Sequence, residues 1–319
     1  MADGAIKTAT EYGRIAAETS RLMKFMDPTI ETVACGSSNL DMPNLRFLGI
    51  HPFWYEAYDE VDYMSLHQYY GNRDDDTPDF LASSKGMDDF ISGVVSICDA
   101  VKAKKHGKKN INLSFDEWNV WYHSNEADEK LEKWIQAPHQ LEDIYNFEDA
   151  LLVGSMLITL LRHADRVKIA CLAQLINVIA PITTIPGGGI FKQAIYHPFH
   201  MLSKYGHGTV KKAIVDAPKY QCDLGELNVV EPAVIYNEEN DEVRIFVLNC
   251  DQEEDVEFEV DLQGYGDKKV KKHLVLAGND YSVMNTIEHP DAVEMEEKEV
   301  TAANSVVLPK MSWNVIVLG

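Results

Sequence analysis

Cysteine is scarce in this sequence, and its distribution excludes the common metal and disulfide arrangements. Five cysteines are scattered over 319 residues, and no two of them form a Cys-x-x-Cys pair. An odd number of widely spaced thiols does not make a disulfide framework, a zinc site or a redox pair. The sequence therefore predicts a reduced, cytoplasmic chain in which the cysteines are structural.

Long apolar runs and basic residues are also scarce. No stretch is long and apolar enough for a transmembrane helix, and residues 1–10 contain no signal-peptide core. Only 29 Lys and Arg residues stand against 51 Asp and Glu residues, which gives a formal net charge of −22. Such a charge repels phosphate backbones and anionic lipid surfaces. We therefore expect neither nucleic acid nor a membrane as a partner, and a neutral substrate is favoured.

Motifs for phosphate binding, serine catalysis and metal binding are absent or incomplete. The loop Gly187-Gly-Gly189 has no following Lys-Ser/Thr pair, and no Gly-x-Ser-x-Gly elbow occurs. His197 and His200 have a spacing that suits a metal, but Pro198 lies between them and no second ligand pair is near. We therefore predict that this chain has no metal site.

What the sequence does contain is an alternation of strands and helices over its first two thirds. Apolar residues at helical spacing predict an amphipathic helix whose apolar face runs from Tyr12 to Met26, ended by Asp27-Pro28. The other predicted helices cover residues 87–101, 147–161 and 196–205, and the predicted strands cover residues 32–36, 61–70, 111–121 and 167–174. This order is typical of parallel βα units.

After residue 206 the pattern changes to short runs of alternating β-type residues, which predict an antiparallel β-sandwich. These runs are residues 233–236, 243–249, 256–262 and 313–318, with a polar hairpin connection at residues 237–241 and an acidic loop or edge at residues 294–299. The predicted domains are therefore residues 1–205, of βα type, and residues 206–319, a β-sandwich. An eight-stranded barrel usually takes about 250 residues, so the first domain, with four strands, is predicted to be a partial (β/α)8 barrel with an unpaired edge and exposed apolar surface.

Polar residues collect at the carboxyl ends of the four predicted strands, where the active site of a βα barrel is built. They are Ser37, Ser38 and Asn39, then His67, Gln68, Tyr69 and Tyr70, then Asp116, Glu117 and Asn119, and finally Gln174.

Glu117 is the most distinctive of these residues, since an apolar strand ends there in a carboxylate flanked by Trp118 and Trp121. Retaining glycosidases use two carboxyl groups about 5–5.5 Å apart, one as nucleophile and one as acid/base. The two indoles suit a wall against which a sugar stacks. In a regular strand Asp116 and Glu117 point to opposite faces, so only one of them is expected to reach a substrate. The residues alone leave open an ion-paired structural carboxylate between core tryptophans.

Several motifs together resemble glycoside hydrolase family 51, the intracellular α-L-arabinofuranosidases. The segment Phe115-Asp-Glu-Trp-Asn-Val-Trp-Tyr122 resembles the nucleophile segment of that family, and Ser65-Leu-His-Gln-Tyr-Tyr-Gly-Asn72 resembles its motif on the preceding strand. The resemblance continues through residues 145–152, 173–177 and 312–316 and spans nearly the whole chain. It implies a retaining glycosidase that releases terminal α-L-arabinofuranosyl residues from arabinan or arabinoxylan oligosaccharides, without metal or organic cofactor.

The resemblance also implies a role for each residue that matches a family motif. Glu117 matches the nucleophile, Tyr69 a tyrosine that orients the nucleophile, and His67 a histidine of the same pocket. Gln174 resembles a glutamine that binds a sugar hydroxyl, and Trp121 an aromatic residue near the bound sugar. The family is commonly oligomeric, so contacts with further copies of this chain are expected.

One family residue has no counterpart in the sequence. The acid/base glutamate of the family follows an asparagine at the end of the fourth barrel strand, and the residues after it resemble Met1-Ala-Asp-Gly4. The chain therefore looks like the C-terminal portion of the enzyme, with a separate N-terminal half as an expected partner. The alternative is an inactive fragment that serves as a carbohydrate-binding or assembly partner.

Overall fold

The computed structural model describes residues 7–38 and 50–319. The helices of this part are α1 (Ala9–Met26), α2 (Ile50–Ala57), α3 (Thr77–Lys104), α4 (Asn125–Glu129), α5 (Phe147–Arg162) and α6 (Tyr196–Tyr205). The first strands are β1 (Val33–Ser37), β2 (Tyr63–Tyr70), β3 (Asn112–Val120), β4 (Val167–Leu172), β5 (Ile182–Thr184), β6 (Ile190–Lys192), β7 (Thr209–Lys211) and β8 (Lys219–Cys222). The remaining strands are β9 (Gly225–Asn228), β10 (Val230–Asn237), β11 (Glu242–Asn249), β12 (Val256–Glu259), β13 (Val270–Ala277), β14 (Glu296–Lys298), β15 (Ser305–Leu308) and β16 (Ser312–Leu318). No helix in the described ranges is both long enough and apolar enough to cross a membrane.

The chain divides into two compact units. The first consists of residues 1–68, 87–118 and 163–172, and the second of residues 69–86, 119–162 and 173–319. The predicted domain boundary between residues 205 and 206 stays a prediction.

The first unit is built around a four-stranded sheet with the order β1-β2-β3-β4, in which β1 pairs with β2 and β3 with β4 in parallel. The four strands and their parallel pairing confirm the βα pattern of the sequence. Among the described residues, β1 and β4 are the outer strands of this sheet. Val33 on β1 is 45% exposed and Cys171 on β4 is exposed, as expected for uncovered edge strands.

Helix α1 confirms the first predicted helix. A capping box of Thr8 and Glu11 begins it, and it ends before Asp27. The buried residues are Gly13, Ala17 and Ser20. Gly13 faces α2 so closely that a Cβ there would lie 2.6 Å from the Phe53 carbonyl oxygen. Small residues are required at this close contact between α1 and α2. The apolar stripe is exposed instead, at Ile15, Leu22, Met23, Phe25 and Met26.

Gly36 on β1 allows an equally close approach to β2. A Cβ at this position would lie 2.2 Å from the Ser65 carbonyl oxygen and 2.6 Å from Met64 Cγ. Gly36→Ala therefore forces the two strands apart, and we expect thermal unfolding to show a loss of about 1–3 kcal/mol.

Gly86→Ala is the matched control for Gly36→Ala. Gly86 lies inside α3 with no atom within 4 Å of the added Cβ, so alanine is expected to stabilise the helix by about 0.5–1 kcal/mol. Equal effects of the two substitutions would contradict the steric account of Gly36.

The second unit contains an antiparallel β-sandwich, as predicted. A six-stranded sheet has the order β14-β13-β16-β11-β10-β7, and β12 pairs with β15 in the other layer. Between the layers lies an apolar core to which both contribute, including Ile245 and Ile316 from the large sheet and Leu308 from β15. The polar hairpin at residues 237–241 connects β10 and β11, and the acidic stretch forms the exposed edge strand β14, so both predictions are confirmed.

Helix α5 packs in the second unit with almost its entire surface buried, as its continuous apolar sequence predicts. It begins at Phe147 and ends at Arg162, with every residue from Phe147 to Leu160 buried. Gly154 faces Trp313 of β16, since a Cβ there would lie 2.5 Å from the indole Cδ1. This contact fixes the helix directly against the large sheet of the sandwich.

Candidate active site

Strands β2 and β3 of the first unit bring His67 and Glu117 together. The register of β3 against β4 passes from Phe115 opposite Ala170 to Trp118 opposite Leu172, so β3 has one extra residue between these pairs. Such a bulge breaks the alternation of side chains. Asp116 and Glu117 are consequently both partly exposed, and both lie within 3.4 Å of the His67 ring. The expectation from a regular strand, that they face opposite sides, is wrong for this reason.

Asp116 is held by three side-chain donors. Its Oδ1 accepts the Ser65 hydroxyl at 2.7 Å and lies 3.0 Å from His67 Nε2, while its Oδ2 accepts the Ser114 hydroxyl at 2.8 Å. Ser65 and Ser114 are almost fully buried. We call Ser65, His67, Ser114, Asp116 and Glu117 the strand-end cluster.

Glu117 faces the other nitrogen of the same imidazole, with 3.4 Å between its Oε2 and His67 Nδ1. The Glu117 side chain is 43% exposed, compared with 28% for Asp116. Glu117 is thus the more exposed of the two carboxylates, and the contacts of Asp116 with Ser65, His67 and Ser114 hold the other in place. Nearby on β4, partial burial and then the charge of Asp116 raise the pKa of the Cys171 thiol, so this thiol is a poor nucleophile.

Two neighbours of Glu117 are structural. The Trp118 side chain is fully buried, so the expectation that it forms part of a sugar-stacking wall is wrong. Asn119 is fully buried as well, and its amide donates to the carbonyls of Ala173 and Ile179, both at 2.7 Å. Both residues therefore fix the end of β3.

The other predicted site residues lie in the second unit. The rings of Tyr69 and Trp121 are in edge-to-face contact, with their centroids 5.3 Å apart. The Trp121 backbone donates to the Tyr70 carbonyl at 2.8 Å, and its buried indole nitrogen has no hydrogen-bond partner among the described residues. Gln174 is exposed, and its backbone donates to the Ile179 carbonyl at 3.0 Å. The binding roles of Tyr69, Trp121 and Gln174 stay predictions, and Asn39 lies outside the described residues.

A second histidine–carboxylate pair, His123 and Asp149, was not predicted from the sequence. Their side chains approach to 2.7 Å, and Asp149 is fully buried at the start of α5. Burial opposes the cationic form of His123, but the hydrogen bond and charge of Asp149 raise its pKa overall. Burial raises the pKa of Asp149 despite the same contact. Asp149 belongs to the segment at residues 145–152, which the resemblance marks without a role.

The His197 and His200 pair does not form a metal site. The His200 ring stacks on Tyr196 at 5.3 Å, and burial lowers the pKa of His197 to about 4. In the part of the chain that the structure describes, no three His, Cys, Asp or Glu side chains are placed to hold a metal ion.

Comparison with known proteins shows which family this chain belongs to. Residues 116–312 match the model of the α-L-arabinofuranosidase C-terminal domain, which is more than half of the chain. The chain is 51% identical to the intracellular exo-α-(1→5)-L-arabinofuranosidase 1 of Bacillus subtilis (strain 168), over 97% of this chain and 62% of the relative. It is 35% identical to an exo-α-(1→6)-L-arabinofuranosidase of Bifidobacterium longum, over 97% of this chain and 62% of the relative.

A solved structure gives the same result. The family 51 α-L-arabinofuranosidase of Bifidobacterium longum superposes with a TM-score of 0.90 at 31% identity, over 98% of this chain and 64% of that one. The chain thus spans less than two thirds of the length of these relatives. On the family model, the identities and the superposition, the chain belongs to glycoside hydrolase family 51, the α-L-arabinofuranosidases.

Proposed function

We propose that this chain supplies the catalytic nucleophile, Glu117, of a retaining exo-α-L-arabinofuranosidase. The observation that carries the proposal is the placement of Glu117 in the family's nucleophile motif, exposed on a bulged strand and 3.4 Å from His67 Nδ1. Several relatives are named exo-α-L-arabinofuranosidases. The substrates are terminal arabinofuranosyl residues of arabinan or arabinoxylan oligosaccharides.

The reaction uses two displacements at the anomeric carbon. A Glu117 oxygen bonds to that carbon while the bond to the leaving oxygen breaks, and an acid/base carboxyl group gives that oxygen its proton. Water, deprotonated by the same group, then displaces Glu117 and releases arabinose with retained configuration. Asp116 is occupied by its three donors, so we propose that the acid/base group lies on a segment outside residues 1–319.

Sugar binding is assigned to residues of the second unit by the resemblance alone. We propose that Tyr69 and Trp121 contact the bound sugar and that Gln174 binds one of its hydroxyls. The contact between the two rings and the exposure of Gln174 support this assignment. No metal or organic cofactor takes part in the reaction as proposed.

We propose that residues 1–205 form a partial (β/α)8 barrel and that the sandwich of residues 206–319 follows it. The parallel order β1-β2-β3-β4 supports the barrel. The exposed apolar stripe of α1, with Phe25 81% and Met26 76% exposed, supports a partner polypeptide on that side, either a separate N-terminal half or a further copy of the chain. A cytoplasmic location is supported by relatives that are named intracellular.

Release of phenol from an aryl α-L-arabinofuranoside tests the proposed activity. An activated leaving group needs little help from an acid, so we expect a rapid burst of about one phenol per chain as Glu117 is arabinosylated. Addition of the polypeptide encoded upstream should convert the burst into turnover. The aryl β-L-arabinofuranoside is the matched control and should give no burst.

A missing burst that the upstream polypeptide does not restore would contradict the enzymatic function. It would favour the second candidate, an inactive carbohydrate-binding or assembly partner. That candidate has its own support in the exposed face of α1, and it predicts binding of the upstream polypeptide without hydrolysis.

A further inference from the structure

The function proposed for Glu117 leaves Asp116 without a role, although three side chains contact the Asp116 carboxyl group. Asp116 accepts hydrogen bonds from two nearly buried serines, and Ser65 comes from β2 while Ser114 comes from β3. A carboxylate that only stabilises a strand needs no such set of donors. The two hydroxyls fix both oxygens of Asp116 and so fix the position of its contact with His67.

The contact between Asp116 and His67 determines where the imidazole carries its proton. An ionised carboxylate only accepts hydrogen bonds, so the 3.0 Å contact requires a proton on His67 Nε2. The other nitrogen, Nδ1, is then the one that faces Glu117 Oε2. That contact is attractive when Nδ1 also carries a proton, because otherwise two lone pairs meet.

The charges of the cluster change when Glu117 reacts. Glu117 loses its negative charge as its oxygen becomes part of the ester to the sugar. Asp116 keeps its contacts, so His67 keeps its Nε2 proton and its orientation in both the free and the arabinosylated enzyme.

We propose that Asp116 is a positioning residue of the reaction, which holds the proton of His67 on Nε2 and fixes the orientation of the ring while Glu117 is esterified. The proposal rests on the proposed function of Glu117. It differs from a structural role because it specifies a protonation site on His67, which a carboxylate that only stabilises β3 has no reason to control.

Asp116→Asn tests the proposal with almost no change in shape. The amide nitrogen of asparagine donates, so it pairs with an unprotonated Nε2 and moves the single ring proton to Nδ1. We expect kcat for an aryl arabinofuranoside, measured with the upstream polypeptide present, to fall by about 10²- to 10⁴-fold, as for other carboxylates that orient a histidine of an active site, with KM changed only a few-fold. Ser114→Ala leaves the carboxylate in place and should cost less than about 10-fold.

Nitrogen-15 NMR of the histidine rings gives a readout that does not depend on catalysis. The His67 signals are assigned by their loss in His67→Gln, and spectra are followed to the pH at which each ring carries a single proton. We expect that proton on Nε2 in the wild-type chain and in Ser114→Ala, and on Nδ1 in Asp116→Asn. Thermal unfolding shows that each variant is folded.

The possible outcomes separate the two proposals. A moved proton together with a lower kcat in Asp116→Asn supports the role of Asp116. If the wild-type chain has no activity, a moved proton still supports the positioning of His67, while the function proposed for Glu117 fails. An unmoved proton overturns the role of Asp116, whether or not activity is lost. A moved proton with kcat within about three-fold of wild type also overturns it, since the effect is then far below that of other orienting carboxylates.

Discussion

Glu117→Ala is expected to abolish the phenol burst and to lower turnover by about 10⁴- to 10⁶-fold, which is the scale of losing a covalent nucleophile. The methyl group of alanine cannot bond to the anomeric carbon, so no arabinosyl-enzyme forms. Stopped-flow absorbance with an activated aryl arabinofuranoside measures both quantities. Because Glu117 is 43% exposed, the substitution should leave thermal unfolding almost unchanged.

Azide separates a lost nucleophile from a damaged fold. It occupies the space left by the Glu117 side chain and attacks the anomeric carbon in one displacement, so Glu117→Ala should regain phenol release and form the azide of inverted configuration. Glu257→Ala, at an exposed position of β12, is the matched control and should keep the wild-type burst. Wild-type activity in Glu117→Ala would remove Glu117 from the reaction.

Trp313→Ala is expected to have the largest effect on stability. The Trp313 side chain is fully buried on β16, 5.9 Å from the Phe246 ring between centroids, and it lies directly under Gly154 of the buried helix α5. Its removal leaves a cavity between helix and sheet and should cost about 3–5 kcal/mol. Chemical denaturation monitored by circular dichroism measures the loss.

Trp313→Phe is the control for Trp313→Ala. The buried indole nitrogen of Trp313 has no hydrogen-bond partner in residues 7–38 and 50–319, so phenylalanine removes an unsatisfied donor while keeping most of the volume. We expect a cost below about 1.5 kcal/mol. Equal losses in the two variants would show that the cavity does not determine the effect.

The parts of the fold that could be predicted from sequence are those with strong local patterns. Helix α5 is apolar on nearly all sides, and it is buried between the residues that the pattern indicates. The four parallel strands were recognisable because each is a β-type run followed by polar residues. Helix α1 shows the limit of such patterns. Its apolar stripe is exposed, because Gly13 and Ala17 allow a close contact that hydrophobicity does not register.

The candidate site shows a second limit. Glu117 and His67 were identified from motifs, but the pairing of both carboxylates with one imidazole depends on an extra residue in β3. A bulge depends on how a strand pairs with its neighbour, which the local sequence does not show. His123 and Asp149 were missed for a similar reason, since 26 residues separate them in the chain.

Peptide mass spectrometry after labelling is the most direct test of the central claim, that Glu117 is the nucleophile. An activated 2-deoxy-2-fluoro arabinofuranoside forms the covalent intermediate but slows its hydrolysis, so the labelled chain can be digested and sequenced. If Glu117 is the nucleophile, we expect one fluoropentosyl group per chain, on Glu117. A label on Asp116 or on any other residue, or no label on a folded chain supplied with its upstream polypeptide, would contradict it.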